Sequence, residues 1–328
     1  MTSFNIGDLH PNTPHLFADL AELLLLIGYN GRAQLHQNDL EKLLNEQPIA
    51  AEEVDEEDED AQAEKTSAER NSRQDRQIED VMSQLAYRAG AFGEWYPFEV
   101  KGENLRLHPD LSNNHRLYRL LVACSRLRSF GRKGVPQRWA RGFTHVSCAA
   151  MRALAPKSAQ TRIFDANSLD RQNHYGTDLR NALPILGKEL GVLSINEAEC
   201  ANAESSGDGG FDIVTTLNFD DGAATAYAIL GQCGAQETAW PSKTLEASPI
   251  NFRHYYQVQF DYPSVMFTPV SYRLATGTWV NNKCANGVLL ADRLRIMNLI
   301  NLDGTHDQLI AEQWFNDFEA EFSKYAAN

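Results

Sequence analysis

Two aspartates bracket a glycine turn in GDGGFDIV, residues 207–214. Gly-Asp-Gly-Gly suits a tight bend with little side chain, and Phe-Asp-Ile-Val suits a strand. Asp212 falls one residue into that strand, so it shares a face with Val214 and Thr216, while Phe211, Ile213 and Thr215 share the other. A carboxylate on an apolar strand is costly unless it is ionised against partners, and a divalent cation is one such partner. The next strand, TAYAILGQC, ends in Gln232 and Cys233. If residues 219–223 close a hairpin, Asp212 and Gln232 meet at the same end of the sheet. One carboxylate and one amide oxygen, completed by backbone carbonyls and water, make an oxygen site suited to Mg²⁺. A local reading competes with this one: Asp208 and Asp212 as turn residues bonding nearby amides, and Gln232 as a satisfied strand amide.

The elements that would position these groups follow from periodicity. Residues 14–28 and 37–46 read as short helices, the second with Asn38 as its cap. EWYPFEVKGENLRLHP reads as an extended pair around KGEN, and HRLYRLLVACSRL, residues 115–127, as an amphipathic helix. A further helix runs through RWARGFTHVSCAAMRALAP to Pro156. Another spans 176–194, with Thr177 as cap, an apolar stripe of Leu179, Leu183, Leu186 and Leu190, and Pro184 interrupting it. The period then changes to two. Strands at FDIVTTLNF, TAYAILGQC and SVMFTPVSYRL precede a strand end running into a helix at GVLLADRLRIMNLIN and a closing amphipathic helix. Helices in the front half and helix–hairpin–strand–helix in the back half predict an α/β (α+β) fold, a mixed sheet flanked by helices.

The chain has 328 residues, 43% of them hydrophobic, and a formal net charge of −14. That size supports one large domain or two modest ones. No apolar run is long enough for a membrane span, no signal peptide is visible, and five scattered cysteines form no C-x-x-C pair. The reading is a reduced, cytoplasmic protein. The bulk acidity hides a local asymmetry: EEVDEEDEDAQAE, residues 52–64, concentrates acid, whereas RLRSFGRKGVPQRWARG, residues 126–142, carries no acid at all. Residues 49–75 read as a disordered linker, either a solvated spacer or an arm covering the basic stretch. Arg126, Arg128, Arg132, Lys133, Arg138 and Arg141 interleave with Phe130 and Trp139 as the best nucleic-acid contact, with a partner-protein surface as the alternative. Arg293 and Arg295 open a helix in ADRLRI and suit either phosphate contact or a salt bridge with Asp292. The chain thus divides into a helical segment 1–48, the linker 49–75, a helical and basic module 76–139, and an α/β domain 140–328.

GDGGFDIV followed by ILGQCGA resembles the core of the PD-(D/E)XK, or restriction-endonuclease-like, nuclease superfamily, and is most similar to its methyl-DNA-restricting, type IV branch. The resemblance covers about residues 140–300. It implies that Asp212 is the metal-binding aspartate and Gln232 stands at the (D/E/Q) position, with Mg²⁺ or Mn²⁺ as cofactor. The superfamily lysine belongs at 234, where this chain has Gly234, and Lys243 in TAWPSK is the candidate replacement. An additional acid often comes from a preceding helix, where Asp178 is the candidate and Thr144 stands at the other natural place. The bland reading of Asp178 is an acid complementing a helix dipole.

On this resemblance the chain is expected to be a metal-dependent DNA endonuclease of a bacterial restriction or antiphage system. Any ATPase or sensor partner would be a separate protein, since no Walker A loop is present. The rival is a catalytically degenerate nuclease-fold subunit that binds DNA or a partner protein, favoured by Gly234 and Thr144.

Overall fold

The computed structural model describes residues 4–7, 12–46, 67–235, 248–285 and 287–326. It divides into two compact units, one of Met1–Trp139, Val270–Val280 and Glu312–Asn328, the other of Ala140–Pro269 and Asn281–Ala311.

The first unit is built on α1 (Pro14–Leu26). Pro14 sits at the first helical position, where no amide donor is needed. The helix is apolar nearly all round and every residue from His15 to Leu26 is buried. That takes Asp19 and Glu22 inside with it. β1 (Gln34–His36) and α2 (Gln37–Glu46) follow. The long helix α3 (Ser67–Phe92) packs on α1 and supplies the countercharge. Arg88 Nη1 lies 2.7 Å from Asp19 and 2.9 Å from Glu22, and Nη2 donates to His15 O at 2.6 Å. The hydroxyls of Tyr96 and Tyr118 each donate to Glu22 at 2.9 Å. The helical start at Ser67 corrects the expectation of disorder over 67–75. Ala, Glu, Arg and Gln there are good helix formers even without apolar anchors. The rest of the expected linker lies outside the described residues.

β2 (Phe98–Lys101) and β3 (Asn104–Leu107) form the hairpin around KGEN, and β1 adds to β3 antiparallel. Gly102 takes the left-handed conformation that the turn requires (φ 58°). α4 (Asn113–Ser125) is opened by a capping box between Ser112 and His115. α5 (Val135–Arg152) begins in this unit and continues into the second.

The second unit holds a five-stranded mixed sheet of order β10–β9–β7–β6–β4, comprising β4 (Gln160–Ile163), β6 (Ile213–Leu217), β7 (Tyr227–Cys233), β9 (Ser264–Phe267) and β10 (Leu289–Ala291). The fold class is therefore α/β. β4, β6 and β7 run as an antiparallel meander, and β7–β9 and β9–β10 are parallel pairs. Outside the sheet lie α6 (Leu169–His174), α7 (Leu179–Glu189), the pair β5 (Ser194–Ile195) and β8 (Tyr256–Gln257), α8 (Glu197–Asn202), α9 (Arg293–Asp303) and α10 (His306–Ala311). One sheet face packs Val214, Ala228 and Leu230 against Leu179, Leu183, Leu186 and Leu190 of the α7 stripe. On the other, α5 approaches closely at Gly231. A Cβ there would stand 3.2 Å from Ile213 and Phe267 of the neighbouring strands and 3.4 Å from the Met151 methyl of α5, so a larger residue would crowd Ile213 and Phe267 first. Pro184 stays inside α7, and the Tyr256 hydroxyl donates to the Leu183 carbonyl beside it at 2.6 Å.

Two boundaries differ from the sequence expectation. Residues 270–280 return to the first unit, and the expected closing helix splits into α10 and a C-terminal helix, Gln313–Ala326, that belongs to the first unit. That last helix buries Phe315, Phe318, Phe322 and Tyr325, and its Glu319 binds Arg116 and Arg119 of α4.

The buried Arg88 network carries a stability test. Arg88→Met leaves Asp19 and Glu22 without their resident cation and is expected to cost about 3–5 kcal/mol in urea unfolding. A change below about 1 kcal/mol would show that the network is not charge-coupled.

Candidate metal centre

The β4/β6/β7 register assembles the site. Ile213 pairs with Ile163 on one side and Gly231 on the other, so Asp212 stands opposite Phe164 and Gln232. Its backbone is held from both sides: Asp212 N donates to Gly231 O at 2.9 Å, and Phe164 N donates to Asp212 O at 2.6 Å. Asp212 thus precedes β6 by one residue and points to the α7 face alongside Gln232. Asp165 directly follows Phe164. Asp208 arrives through the glycine turn, where Gly207, Gly209 and Gly210 all take positive φ, a run that side-chain-bearing residues resist. Asp208 Oδ1 accepts from Gly210 N at 2.8 Å, which closes the bend back toward Asp212.

The carboxylates of Asp165, Asp208 and Asp212 offer ligand oxygens all within 4.8 Å of one another. Asp212 is 8% exposed, and Cys233 N donates to its Oδ2 at 2.8 Å. Burial first, and the Asp208 charge second, push the Asp212 carboxyl up to about 8, against the pull of the Cys233 amide. Burial, then Asp212, raises the Cys233 thiol well above its usual value, so it stays neutral beside the site. Gln232 is 7% exposed and its Oε1 has no hydrogen-bond partner among the described residues. An orphaned, buried carbonyl oxygen on the face of three clustered carboxylates fits a hard divalent cation, which takes oxygen ligands of both kinds.

Arg171 lies inside the unit behind these acids. It is fully buried and stacks over the Phe164 ring at 4.5 Å. Nη1 donates to Phe164 O at 2.9 Å and Gly207 O at 3.0 Å, and Nε donates to Gly176 O at 3.0 Å. Burial lowers its pKa, opposed by the charges of Asp208, Asp165 and Asp178.

Of the residues expected from sequence, Asp212 and Gln232 come together, while Lys243 lies outside the described residues. Asp178 is not one of the clustered acids. It caps α7 through Arg180 N at 3.0 Å and pairs with the Arg180 guanidinium at 2.6 Å, which holds its carboxyl below the usual range. It also replaces Thr177 as the cap. Thr144 in α5 donates to Ala140 O and lies near Cys233 with no acid to offer. The extra acids are instead Asp165, which no motif marks, and Asp208, whose local pattern is that of a turn residue. The one signal for Asp165 is its place at the end of the strand that pairs with GDGGFD.

The expected phosphate contacts divide in the same way. Arg126 and Arg293 are buried and spend donors on Ile6 O at 2.6 Å and Pro269 O at 2.8 Å, so neither is a surface contact. Arg295 donates to Leu290 O at 2.8 Å. Phe130 and Trp139 are core residues packed on Phe322 and Tyr325, not stacking platforms. Arg128, Arg132, Lys133, Arg138 and Arg141 are exposed, with Arg132 and Arg138 both bound to Glu321 of the C-terminal helix, at 2.8 and 2.7 Å. No helix among the described residues is long and apolar enough to cross a membrane.

Compared with protein-family models, curated proteins and solved structures, the chain matches none. The chemistry of the site is therefore the guide to what it does.

The Asp212 titration sets a pH test without any cation. Its folded value of about 8 lies above the ordinary aspartate value of about 3.9. The contribution of this group to stability is thus full below pH ~4 and is lost as pH rises through ~8. Asp212→Asn removes that loss. In chelator its unfolding free energy should exceed wild type by about 2–5 kcal/mol at pH ~9 and converge with it toward pH ~4. Parallel pH profiles for the two proteins would sink the assignment.

Proposed function

We propose that the chain is a Mg²⁺- or Mn²⁺-dependent DNA endonuclease, hydrolysing phosphodiester bonds at the Asp165–Asp208–Asp212 cluster. The observation that carries this reading is the unpartnered Gln232 Oε1 beside three carboxylates that only a proton or a cation can reconcile. Asp212, held by the Cys233 amide and two ladder bonds, is the fixed ligand. Asp165 and Asp208 come from loops on either side of it, and Gln232 adds an oxygen without adding a fourth negative charge. A bound divalent cation supplies charge to the phosphate undergoing attack and lowers the pKa of water at the site. The meander of β4, β6 and β7 with β9 parallel to β7, and the short GDGG-x-D and Q-x-G motifs, are compatible with the restriction-endonuclease-like family. On that analogy the chain would serve a bacterial restriction or antiphage system with any ATPase on a separate protein. Arg128 and Lys133, with Arg132 and Arg138 where Glu321 yields them, are the surface we assign to DNA phosphates.

A second reading is supported by Gly234. The resemblance puts a lysine there, and this residue offers only a backbone N–H, spent on Phe267 O at 2.9 Å. Without that cation the fold would serve as a subunit that binds DNA or a partner protein and does not cut.

Nicking of supercoiled plasmid in Mg²⁺ and in Mn²⁺ separates the two. The endonuclease reading expects cleavage by wild type, reduced to background in Asp165→Asn and Asp212→Asn, with both variants folded. DNA binding with no cleavage in either metal would move the chain to the second reading. For the surface, neutralising Arg132, Lys133 and Arg138 should lower the log–log salt slope of DNA affinity by about 0.9 for every phosphate that is no longer neutralised. An unchanged slope would give this face to a protein partner.

A further inference from the structure

We infer that Arg171 is the positioning residue of the metal centre: it fixes the two acid-bearing loops against each other through their main chains and thereby sets the affinity for the cation. This rests on the metal reading proposed above and adds to it a residue that is neither a ligand nor a phosphate contact. Phe164 and Gly207, whose carbonyls share Arg171 Nη1, are the residues immediately before Asp165 and Asp208. One planar guanidinium therefore holds the bases of two of the three carboxylates. Its third bond, to Gly176 O, ties in the link between α6 and α7.

The base of this device is itself immobile. Ser168 caps α6 by accepting from Arg171 N at 3.0 Å and donates to Ile163 O at 2.9 Å. Asp170 accepts from Ile163 N at 3.0 Å. The short helix is thus fastened to the end of β4, and the guanidinium is clamped over Phe164. Charge points the same way. Three carboxylates around a dication leave one negative charge, which would oppose an approaching phosphate, and the buried Arg171 cation cancels it. Lysine is not equivalent, because a compact ammonium lacks the rigid fork whose Nε and Nη1 reach the three carbonyls here.

Mn²⁺ binding, followed by the electron-paramagnetic signal of the free ion, tests this in wild type, Arg171→Lys, Asp165→Asn and the double variant, alongside metal-free melting. Arg171→Lys, folded by circular dichroism, should lose about tenfold or more in Mn²⁺ affinity, the scale expected for groups that orient ligands. In the Asp165→Asn background the same change should cost less than in wild type, since one of the two positions it sets no longer carries a ligand while Asp208 still does. A merely structural Arg171 would lower metal-free melting and leave Mn²⁺ affinity unchanged, or give additive losses; either result overturns the inference alone. Absence of Mn²⁺ binding by wild type would overturn the metal reading together with it. Should Arg171→Lys fail to fold, Phe164→Leu, which removes the ring under the guanidinium, should weaken Mn²⁺ binding several-fold, and unchanged binding there overturns the inference.

Discussion

Repulsion among Asp165, Asp208 and Asp212 is the constraint around which the second unit is arranged. Two ionised carboxylates whose oxygens lie within 4.8 Å repel by about 3–4 kcal/mol at an effective dielectric of ~20. Were all three ionised, three such pairs would approach the whole stability of an ordinary domain, and the rise of the Asp212 carboxyl to about 8 is the relief that a proton supplies. The cluster persists because strand register and turn geometry leave its backbone no freedom. Asp212 is locked between two ladders, Asp165 follows from the pairing of Ile163 with Ile213, and Asp208 is delivered by three glycines in left-handed conformations. A one-residue slip of β6 would turn Asp212 away from Gln232, so sheet register and site stand or fall together.

The first unit meets a similar problem and solves it differently. Asp19 and Glu22 are more deeply buried than any acid of the cluster, but Arg88 reaches both and two tyrosine hydroxyls complete Glu22. That network draws its countercharge from within the unit. In the second unit the buried arginine donates to carbonyls and leaves the acids to one another, while Gln232 Oε1 goes unmatched. The two buried acid groups thus differ in whether a resident cation meets the carboxylates directly.

Much of this is legible in the sequence where period and turn chemistry agree. The switch to period two and the DDGA turn give the β6–β7 hairpin, and from it the meeting of Asp212 with Gln232. Asp165 is not legible, because RIFDANSLD carries no periodic signal and its acid reaches the site only through pairing between strands some fifty residues apart. Arg171 is not legible either, because nothing local in its sequence shows that it turns inward. Arg126 and Arg293 fail for the same reason: a run of basic residues displays charge but not which side chains will bond to carbonyls indoors. The helical start at Ser67 is concealed by polarity, since propensity without an apolar stripe gives little warning.

The C-terminal helix has a practical implication. Its Glu319 and Glu321 between them occupy Arg116, Arg119, Arg132 and Arg138, and residues 313–326 hold three acids against one lysine. Proteolysis or truncation that removes this helix would raise the net charge by two, release four guanidinium groups and uncover the rings of Phe130 and Trp139. Such a shortened protein would present a basic and aromatic face that the intact chain covers, on a chain still acidic overall. Any binding measured on it would report the cut end rather than the surface that the intact chain presents.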